Sequence, residues 1–226
     1  MCAESVFPPP ENADENGIVA VSRTIDTGLL KDAYMHGIFP WPFGEEYDVI
    51  PWCAPLERGV LMLEDFHIPR SLVREMKKMD FSLRIDHDFP AVIRGCARAL
   101  RKEAPGTWIT SQVIDAYCEF HKMGYAHSFE TYDSQGELVG GLYGISIGRI
   151  FCGESMFYKR SGASKFAFVK MADVLKAKGV VLVDTQMVTS VTASFGAVEI
   201  PSADYIRLLE KYRGKPLKFR ELDASE

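Results

Sequence analysis

The second half of this chain carries a strand–strand–helix–strand pattern, and that order limits the folds available to it. Residues Glu137 to Ile145 and Arg149 to Phe157 are rich in β-forming side chains and flank a turn at Gly148, which is typical of a hairpin. Ser161 to Lys178 has the apolar spacing of a helix, and Val180-Val181-Leu182-Val183 is typical of a buried strand. This order predicts an α+β or mixed α/β domain.

Helical patterns dominate the first half and recur near the end of the chain. Apolar residues at helical spacing, with glycine and proline as boundary signals, predict helices for Leu29 to His36, from Pro69 onward, for Ala91 to Lys102, for Gln112 to Met123 and for Ala203 to Tyr212. The proline-rich and polar residues 1–17 predict a poorly ordered lead-in. A change of pattern near Ala104-Pro105-Gly106 predicts a small N-terminal domain over residues 18–104 and a second domain over residues 105–226.

Composition places the chain among globular proteins and narrows its function. Hydrophobic residues make up 47% and charged residues 25%, so we expect a packed core. The formal charge of −5 argues against a protein that coats nucleic acid non-specifically, although it allows local basic patches. The five cysteines are widely spaced without a C-x-x-C pair, which favours separate thiols over a zinc site or a disulfide framework. The absence of an export signal and of a membrane-spanning apolar run predicts a cytoplasmic protein.

Two of the predicted helices carry a basic face. Successive residues of a helix are rotated by about 100°, so residues three or four apart share a face. This rule groups a first set, which consists of Arg70, Arg74, Lys77 and Lys78. The same rule groups a second set as Arg94, Arg98, Arg101 and Lys102. Both faces suit contact with RNA phosphates, and both equally suit an ordinary solvated surface.

Three polar residues are candidates for chemistry. Asp184 and Gln186 stand at the carboxyl end of the apolar strand, and residues two apart in a strand point to the same face. Glu154 interrupts an otherwise apolar strand, where a carboxylate is costly unless it is paired or used. The alternatives are that Asp184 caps the residues after it and that the face of Glu154 is solvated.

Two tryptophans lie in predicted loops. Trp41 and Trp108 suit simple packing, and they also suit base stacking at a single-stranded RNA end. Ser155 does not suit a hydrolase nucleophile, because Phe157 occupies the last position of the G-x-S-x-G pattern.

A series of short segments resembles the leucyl/phenylalanyl-tRNA–protein transferases, in the order of that family and over about Leu29 to Leu209. The segments are Ala33 to Trp41, Gly106-Thr107-Trp108-Ile109, Gly124 to Ser128, Gly140-Gly141-Leu142-Tyr143-Gly144, Phe151 to Phe157, Ala163-Ser164-Lys165, Asp184-Thr185-Gln186 and Thr192 to Pro201. Each segment alone is a weak signal, and the ordered set is specific.

The resemblance implies both a fold and an activity. It implies a small N-terminal domain and a C-terminal acetyltransferase-like (GNAT) domain with a mixed sheet flanked by helices. It implies transfer of Leu, Phe and less readily Met from aminoacyl-tRNA to proteins that begin with Arg or Lys, which marks those proteins for degradation under the N-end rule. No cofactor is expected, because the aminoacyl ester is already activated and the reaction requires neither ATP nor a metal ion.

The resemblance also implies roles for individual residues. Asp184 and Gln186 would form the catalytic pair, with Glu154 nearby. The 3′-terminal adenosine would be held by Trp41, Trp108 and Tyr34, and the amino-acid pocket would be lined by Leu142, Phe151, Met171 and Val183. The first basic face matches the tRNA-binding cluster of the family, and the second does not belong to the family pattern. The chain departs from that pattern at Val19-Ala20-Val21-Ser22, Pro51, Met171 and Val191.

Three other functions compete with this interpretation. An acetyl-CoA-dependent acetyltransferase would need an R/Q-x-x-G-x-G/A turn, which Tyr158 to Ala163 does not match. A non-catalytic RNA-binding protein would explain the basic faces but not Glu154, Asp184 and Gln186. An aminoacyl-tRNA-dependent peptidoglycan transferase shares the donor but is usually a longer chain.

Overall fold

A mixed sheet of seven strands organises the protein in the computed structural model, which describes residues 5–42, 49–99, 107–215 and 217. Its order is β10–β4–β9–β8–β7–β6–β5, and neighbouring strands are antiparallel except for the parallel pair β8 and β9. The strands are β4 (Glu57–Met62), β5 (Ser82–Ile85), β6 (Ala126–Tyr132), β7 (Leu138–Ile147), β8 (Ile150–Tyr158), β9 (Leu182–Gln186) and β10 (Val198–Pro201). A smaller sheet has the order β1–β3–β2, formed by β1 (Ile18–Ser22), β2 (Phe39–Pro40) and β3 (Ile50–Cys53).

The helices lie where the sequence predicts them, with one short addition. They are α1 (Thr27–Met35), α2 (Arg70–Met76), α3 (Phe89–Arg98), α4 (Ser111–Lys122), α5 (Ala163–Ala177), α6 (Ser190–Ser194) and α7 (Ser202–Tyr212), and a 3₁₀ turn covers Pro10–Asn12. Side chains at the N-caps of α1, α3, α4 and α6 accept hydrogen bonds from the free amides of the first turn, which fixes where these helices begin. The hairpin and the five helices predicted to follow Leu29, Pro69, Ala91, Gln112 and Ala203 are therefore confirmed, as is the helix over α5.

Helices cover both faces of the large sheet. Leu182, Ile145 and Tyr143 belong to the core that also includes α1, α3, α4 and α7. Val183 and Leu142 belong to the second core, which includes α2 and α5. Adjacent strand residues thus enter opposite cores, as the two-residue period of a strand requires. The fold is α+β with a mixed sheet flanked by helices.

The two parts of the chain share this sheet. Strands β4 and β5 precede residue 104 and yet lie within the seven-stranded sheet, so the sheet extends beyond the predicted C-terminal domain. The predicted boundary at residues 104–106 lies outside the described residues. Residues 5–17, for which the sequence predicts little order, contact the rest of the protein: Phe7 is buried against Trp52, with ring centroids 4.8 Å apart. No helix among the described residues combines the length and apolar character needed to cross a membrane.

The parallel strands β8 and β9 separate before either ends. Their pairing covers Ile150 with Leu182, Phe151 with Val183 and Cys152 with Asp184. Strand β8 then continues to Tyr158 beside β7, while β9 continues to Gln186 beside β4. The residues after Cys152 and Asp184 therefore face a gap in the middle of the sheet.

Candidate active site

A cavity of about 250 Å³ occupies the gap between β8 and β9. Apolar side chains of the second core form one wall, namely Leu142, Phe168, Met171 and Val183, with Met156 next to them. The other lining residues are Trp41, Trp108, Tyr143, Gly153, Glu154, Ser155, Thr185, Gln186, Met187, Thr189 and Thr192. We call this cavity the acyl pocket. It combines a water-excluding wall with a small number of polar groups, which is typical of a ligand site.

Glu154 is the carboxylate of the acyl pocket. Gln186 donates from Nε2 to Glu154 Oε1 at 3.2 Å, and the hydroxyl of Tyr117 donates to Oε2 at 3.4 Å. Burial and the nearby charge of Asp184 raise the pKa of Glu154 to about 8, although the hydroxyls of Tyr34 and Tyr117 act in the opposite direction. A buried carboxylate favours its neutral form for this reason. Glu154 therefore gains or loses a proton near neutral pH.

Asp184 lies outside the lining of the acyl pocket, in a closed ion pair. Its side chain is fully buried and accepts from Arg58 Nε at 2.8 Å and from the second Arg58 nitrogen at 2.6 Å. Tyr205 donates its hydroxyl at 2.8 Å, and the backbone amide of Gln186 donates at 2.9 Å. Burial opposes the charge of Arg58, but the charge of Asp184 outweighs it and raises the pKa of the guanidinium. With four donors on two oxygens, Asp184 has no free site for a substrate proton.

Gln186 links the ion pair to the acyl pocket. Its backbone has a φ of 55°, in the left-handed region, and the bond from its amide to Asp184 holds it there. Gly59 faces it across the sheet, and a Cβ at Gly59 would come within 2.6 Å of the Met187 backbone. Asp184 and Gln186 are therefore linked through this backbone bond, and not as the two side chains on one face that the sequence predicts.

Only some of the residues that the resemblance assigns to adenosine and to the amino acid line the acyl pocket. Trp41 and Trp108 line the acyl pocket and stack on each other, with centroids 5.7 Å apart. Tyr34 instead lies in the core, 1% exposed, with its hydroxyl 2.5 Å from that of Tyr117. Phe151 is also fully buried and packs against Phe129, behind the wall rather than in it. Among the described lining residues, Leu142, Met171 and Val183 represent the predicted amino-acid pocket.

The first basic face lies on the surface. Arg70 and Arg74 project from α2, whereas Lys77 and Lys78 follow its last residue, Met76; all four are exposed. Val73 of the same helix is 39% exposed, and Leu72 is the residue of α2 that is buried in the core. In the second face, Arg94 and Arg98 are exposed on α3, and Arg101 and Lys102 lie outside the described residues.

Three residues of the site escaped the sequence analysis: Arg58, Tyr117 and Tyr205. Arg58 stands near the start of the apolar strand β4, and Glu154 interrupts the apolar strand β8, so the cost of an unpaired buried charge identifies both. The two tyrosines have no such signal. The described residues contain no group of three or more His, Cys, Asp or Glu side chains placed to bind a metal ion.

The sequence comparisons with known proteins all indicate one family. The family model described as leucyl/phenylalanyl-tRNA protein transferase matches residues 60–210. The leucyl/phenylalanyl-tRNA–protein transferase of Saccharophagus degradans is 44% identical over 210 residues, or 92% of this chain and 85% of its own. That of Chromobacterium violaceum is 45% identical over 196 residues, or 86% and 82%. Among solved structures, the C-terminal domain of a putative lysylphosphatidylglycerol synthetase from Agrobacterium fabrum aligns with a TM-score of 0.46 at 11% identity, over 87% of this chain and 73% of its own.

The closed ion pair predicts that Asp184 matters for stability. Asp184→Ala leaves Arg58 buried without a partner, and we expect the free energy of unfolding to fall by about 3–5 kcal/mol. Urea denaturation measures this loss. Removing both charges, with Arg58→Met and Asp184→Leu together, should cost less than Asp184→Ala alone. As a control, Asp80→Ala breaks an exposed Asp–Arg pair with Arg160 and should cost far less. Equal losses for Asp184→Ala and Asp80→Ala would contradict the role given to the ion pair.

Proposed function

This chain belongs to the leucyl/phenylalanyl-tRNA–protein transferase family and is an aminoacyltransferase; on that premise we propose its substrates and its mechanism. It transfers Leu, Phe and less readily Met from aminoacyl-tRNA to the N-terminal α-amine of proteins that begin with Arg or Lys. The added residue marks the acceptor for degradation under the N-end rule. One observation supports this most directly: the acyl pocket joins an apolar wall to the Glu154–Gln186 pair.

The apolar wall suits the side chain of the transferred amino acid. Leu142, Phe168, Met171 and Val183 offer no partner for a charged or amide side chain, which would lose its hydration without compensation. The volume of about 250 Å³ fits one aminoacyl group better than a large cofactor. The stacked Trp41 and Trp108 present an aromatic surface on which the terminal adenine can stack. Tyr34 contributes indirectly, by holding Tyr117 against Glu154.

Glu154 is the group proposed to accept the proton of the reaction. The neutral α-amine of the acceptor attacks the ester carbonyl carbon, and the new C–N bond leaves an extra proton on nitrogen. That proton moves to the Glu154 carboxylate. The bond from carbon to the 3′ oxygen of adenosine then breaks, and the departing oxygen takes the same proton from Glu154, which returns to its carboxylate form. The products are an amide and deacylated tRNA.

Gln186 and Asp184 position that carboxylate. The amide nitrogen of Gln186 donates to Glu154, and the backbone of Gln186 is held by Asp184 within its ion pair. Among the described lining residues, Glu154 carries the single carboxylate. It therefore also supplies the negative charge that would attract the cationic side chain of an acceptor beginning with Arg or Lys. Helix α5, which joins β8 to the parallel strand β9, supports the further proposal that the catalytic part has an acetyltransferase-like (GNAT) fold.

A direct assay tests the proposed substrates. tRNAs charged with radiolabelled Leu or Phe are offered to peptides that differ only in a first residue of Arg, Lys, Asp or Ala. We expect label on the Arg and Lys peptides, because Glu154 attracts the cationic side chain of the first residue, and far less on the other two. Equal labelling of all four peptides would refute the acceptor preference, and labelling of none would refute the transfer.

The pKa of Glu154 predicts how transfer depends on pH. The acceptor amine, with a pKa of ~7.7–8.0, and Glu154, with a pKa of about 8, must both be deprotonated. Below pH 7 the single-turnover rate should therefore rise roughly 100-fold per pH unit, and it should level off above pH 8. Glu154→Gln should slow transfer about 10²–10⁴-fold at pH 8 and leave only a tenfold rise per unit, from the amine.

The control for that experiment is Glu199→Gln, which changes an exposed carboxylate on β10. It should keep the rate and the steep pH profile of the parent protein. If Glu154→Gln also keeps both, then Glu154 does not accept the proton.

The wall of the acyl pocket predicts the choice among amino acids. Met171 stands where the family pattern has an aromatic residue, and its thioether adapts to differently shaped partners. We expect more Met transfer relative to Phe than is usual for the family, and Met171→Phe should restore sharper discrimination. Val and Ile should react slowly, because branching at Cβ widens them next to the backbone. Apolar pockets separate such substrates by only about 1–3 kcal/mol per methylene, so the preferences are graded.

Single-turnover transfer from tRNAs carrying Leu, Phe, Met, Val or Ile measures these preferences. Met123→Phe is the matched control, since Met123 is 54% exposed and lies outside the acyl pocket. Comparable rates for Val and Leu would contradict the shape argument. An unchanged ratio of Met to Phe transfer in Met171→Phe would remove Met171 from the selective wall.

A further inference from the structure

A second and larger cavity, of about 690 Å³, lies between helix α3 and the end of strand β8. We call it the α3 groove. Its charged lining residues are Arg94 and Arg98, one helical turn apart on α3, and Lys159, directly after β8. The exposed Tyr158 lines it as well, with 66% of its surface accessible. None of these four residues takes part in the chemistry of the acyl pocket.

The α3 groove carries positive charge without compensation. Arg94, Arg98 and Lys159 are all exposed, and none forms an ion pair with a described residue, nor does an Asp or Glu appear among the described lining residues. The neighbouring Arg160, by contrast, pairs with Asp80 and Asp133. Like charges four residues apart destabilise a helix slightly, and this chain is acidic overall. A concentrated basic groove under these conditions favours an anionic ligand.

The position of the α3 groove narrows the choice among anionic ligands. Met156 lines both the groove and the acyl pocket, so the two cavities are adjacent at this residue. Lys159 lies three residues further along the chain, about 10 Å at the rise of a strand. At the same end of the sheet, Arg160 pairs with Asp80, three residues after Lys77 of the first basic face. The α3 groove thus adjoins the acyl pocket at Met156, and the residue next to Lys159 contacts the segment that follows α2.

We propose that the α3 groove binds the phosphates of the unpaired 3′ end of aminoacyl-tRNA, in the nucleotides just before the terminal adenosine. Arg94, Arg98 and Lys159 neutralise these phosphates, and Tyr158 offers a ring on which one of the bases stacks. The proposal rests on the proposed function, because it follows the same donor outward from the acyl pocket. The other substrate does not suit the groove, since an acceptor that begins with Arg or Lys would be repelled by it.

The test combines two changes, one in the protein and one in the RNA. The groove variant replaces Arg94, Arg98 and Lys159 with Gln. The control variant replaces Lys176, Lys211 and Lys215 with Gln, which removes the same charge from exposed positions elsewhere. Dissociation constants are measured at several salt concentrations for intact tRNA and for tRNA that lacks its unpaired 3′ nucleotides.

We expect the groove variant to bind intact tRNA at least tenfold more weakly than the parent protein. The slope of log Kd against log salt concentration should fall by about 2, because each of the three lost phosphate contacts contributes ~0.7 to it. Removing the 3′ nucleotides should weaken binding to the parent and to the control variant by a larger factor than binding to the groove variant, which has already lost the phosphate contacts and keeps only the stacking of the terminal adenine on Trp41 and Trp108.

Two outcomes would overturn the proposal. If removal of the 3′ nucleotides weakens the parent and the groove variant by the same factor, the groove does not hold the 3′ end, even if both bind less RNA. If the groove variant binds intact tRNA as tightly as the parent, the groove does not bind RNA and an acidic protein surface becomes its better partner. Failure of the proposed function would be seen separately, as an absence of labelled product with the parent protein.

Discussion

The buried pair of Arg58 and Asp184 is the interaction on which the rest of the site depends. Two charges taken out of water must be paired closely and given further hydrogen bonds, or their desolvation outweighs their attraction. Arg58 meets this demand with Asp184 and the carbonyl of Gly37, and Asp184 meets it with Tyr205 and the amide of Gln186. The pair thereby ties β4 to β9, and both to the end of α1 and to α7. It adds a side-chain link to two strands that already pair in the sheet, and it connects them to helices from distant parts of the chain.

The acyl pocket exists because two neighbouring strands part in the middle of the sheet. After Cys152 and Asp184 the backbones of β8 and β9 diverge, and the gap is lined from both cores. Leu142, Met171 and Val183 come from the core under α5, while Trp108 and Tyr143 come from the other. An apolar acyl group and the polar groups that act on its ester can therefore meet at one point. A continuous sheet would have kept the two sets of residues on opposite faces.

The two carboxylates of the site, Asp184 and Glu154, differ in the groups that surround them. Asp184 is sealed beside a permanent cation and serves to hold Gln186. Glu154 has no cation in direct contact among its hydrogen-bond partners, which are Gln186 and Tyr117, and burial raises its pKa to about 8. Burial also raises the pKa of Tyr117 and Tyr34, so both hydroxyls stay protonated and remain donors. Two carboxylates on neighbouring strands thus differ in charge state because their surroundings differ.

The sequence by itself determined the elements whose signals are local. The helices follow from apolar spacing and from glycine and proline at their boundaries, and the hairpin of β7 and β8 follows from β-formers around one turn. It also identified the family, since motifs recur in a fixed order. The strands other than β7, β8 and β9 escaped because they are short and acquire their hydrogen bonds only from distant partners, as β4 does from β9 and β10. The tertiary structure alone decided that Asp184 is closed off, that Tyr34 and Phe151 lie behind the pocket, and that the α3 groove meets it at Met156. Each of these depends on which side chains converge across the sheet, and convergence over a hundred residues leaves no trace in local spacing.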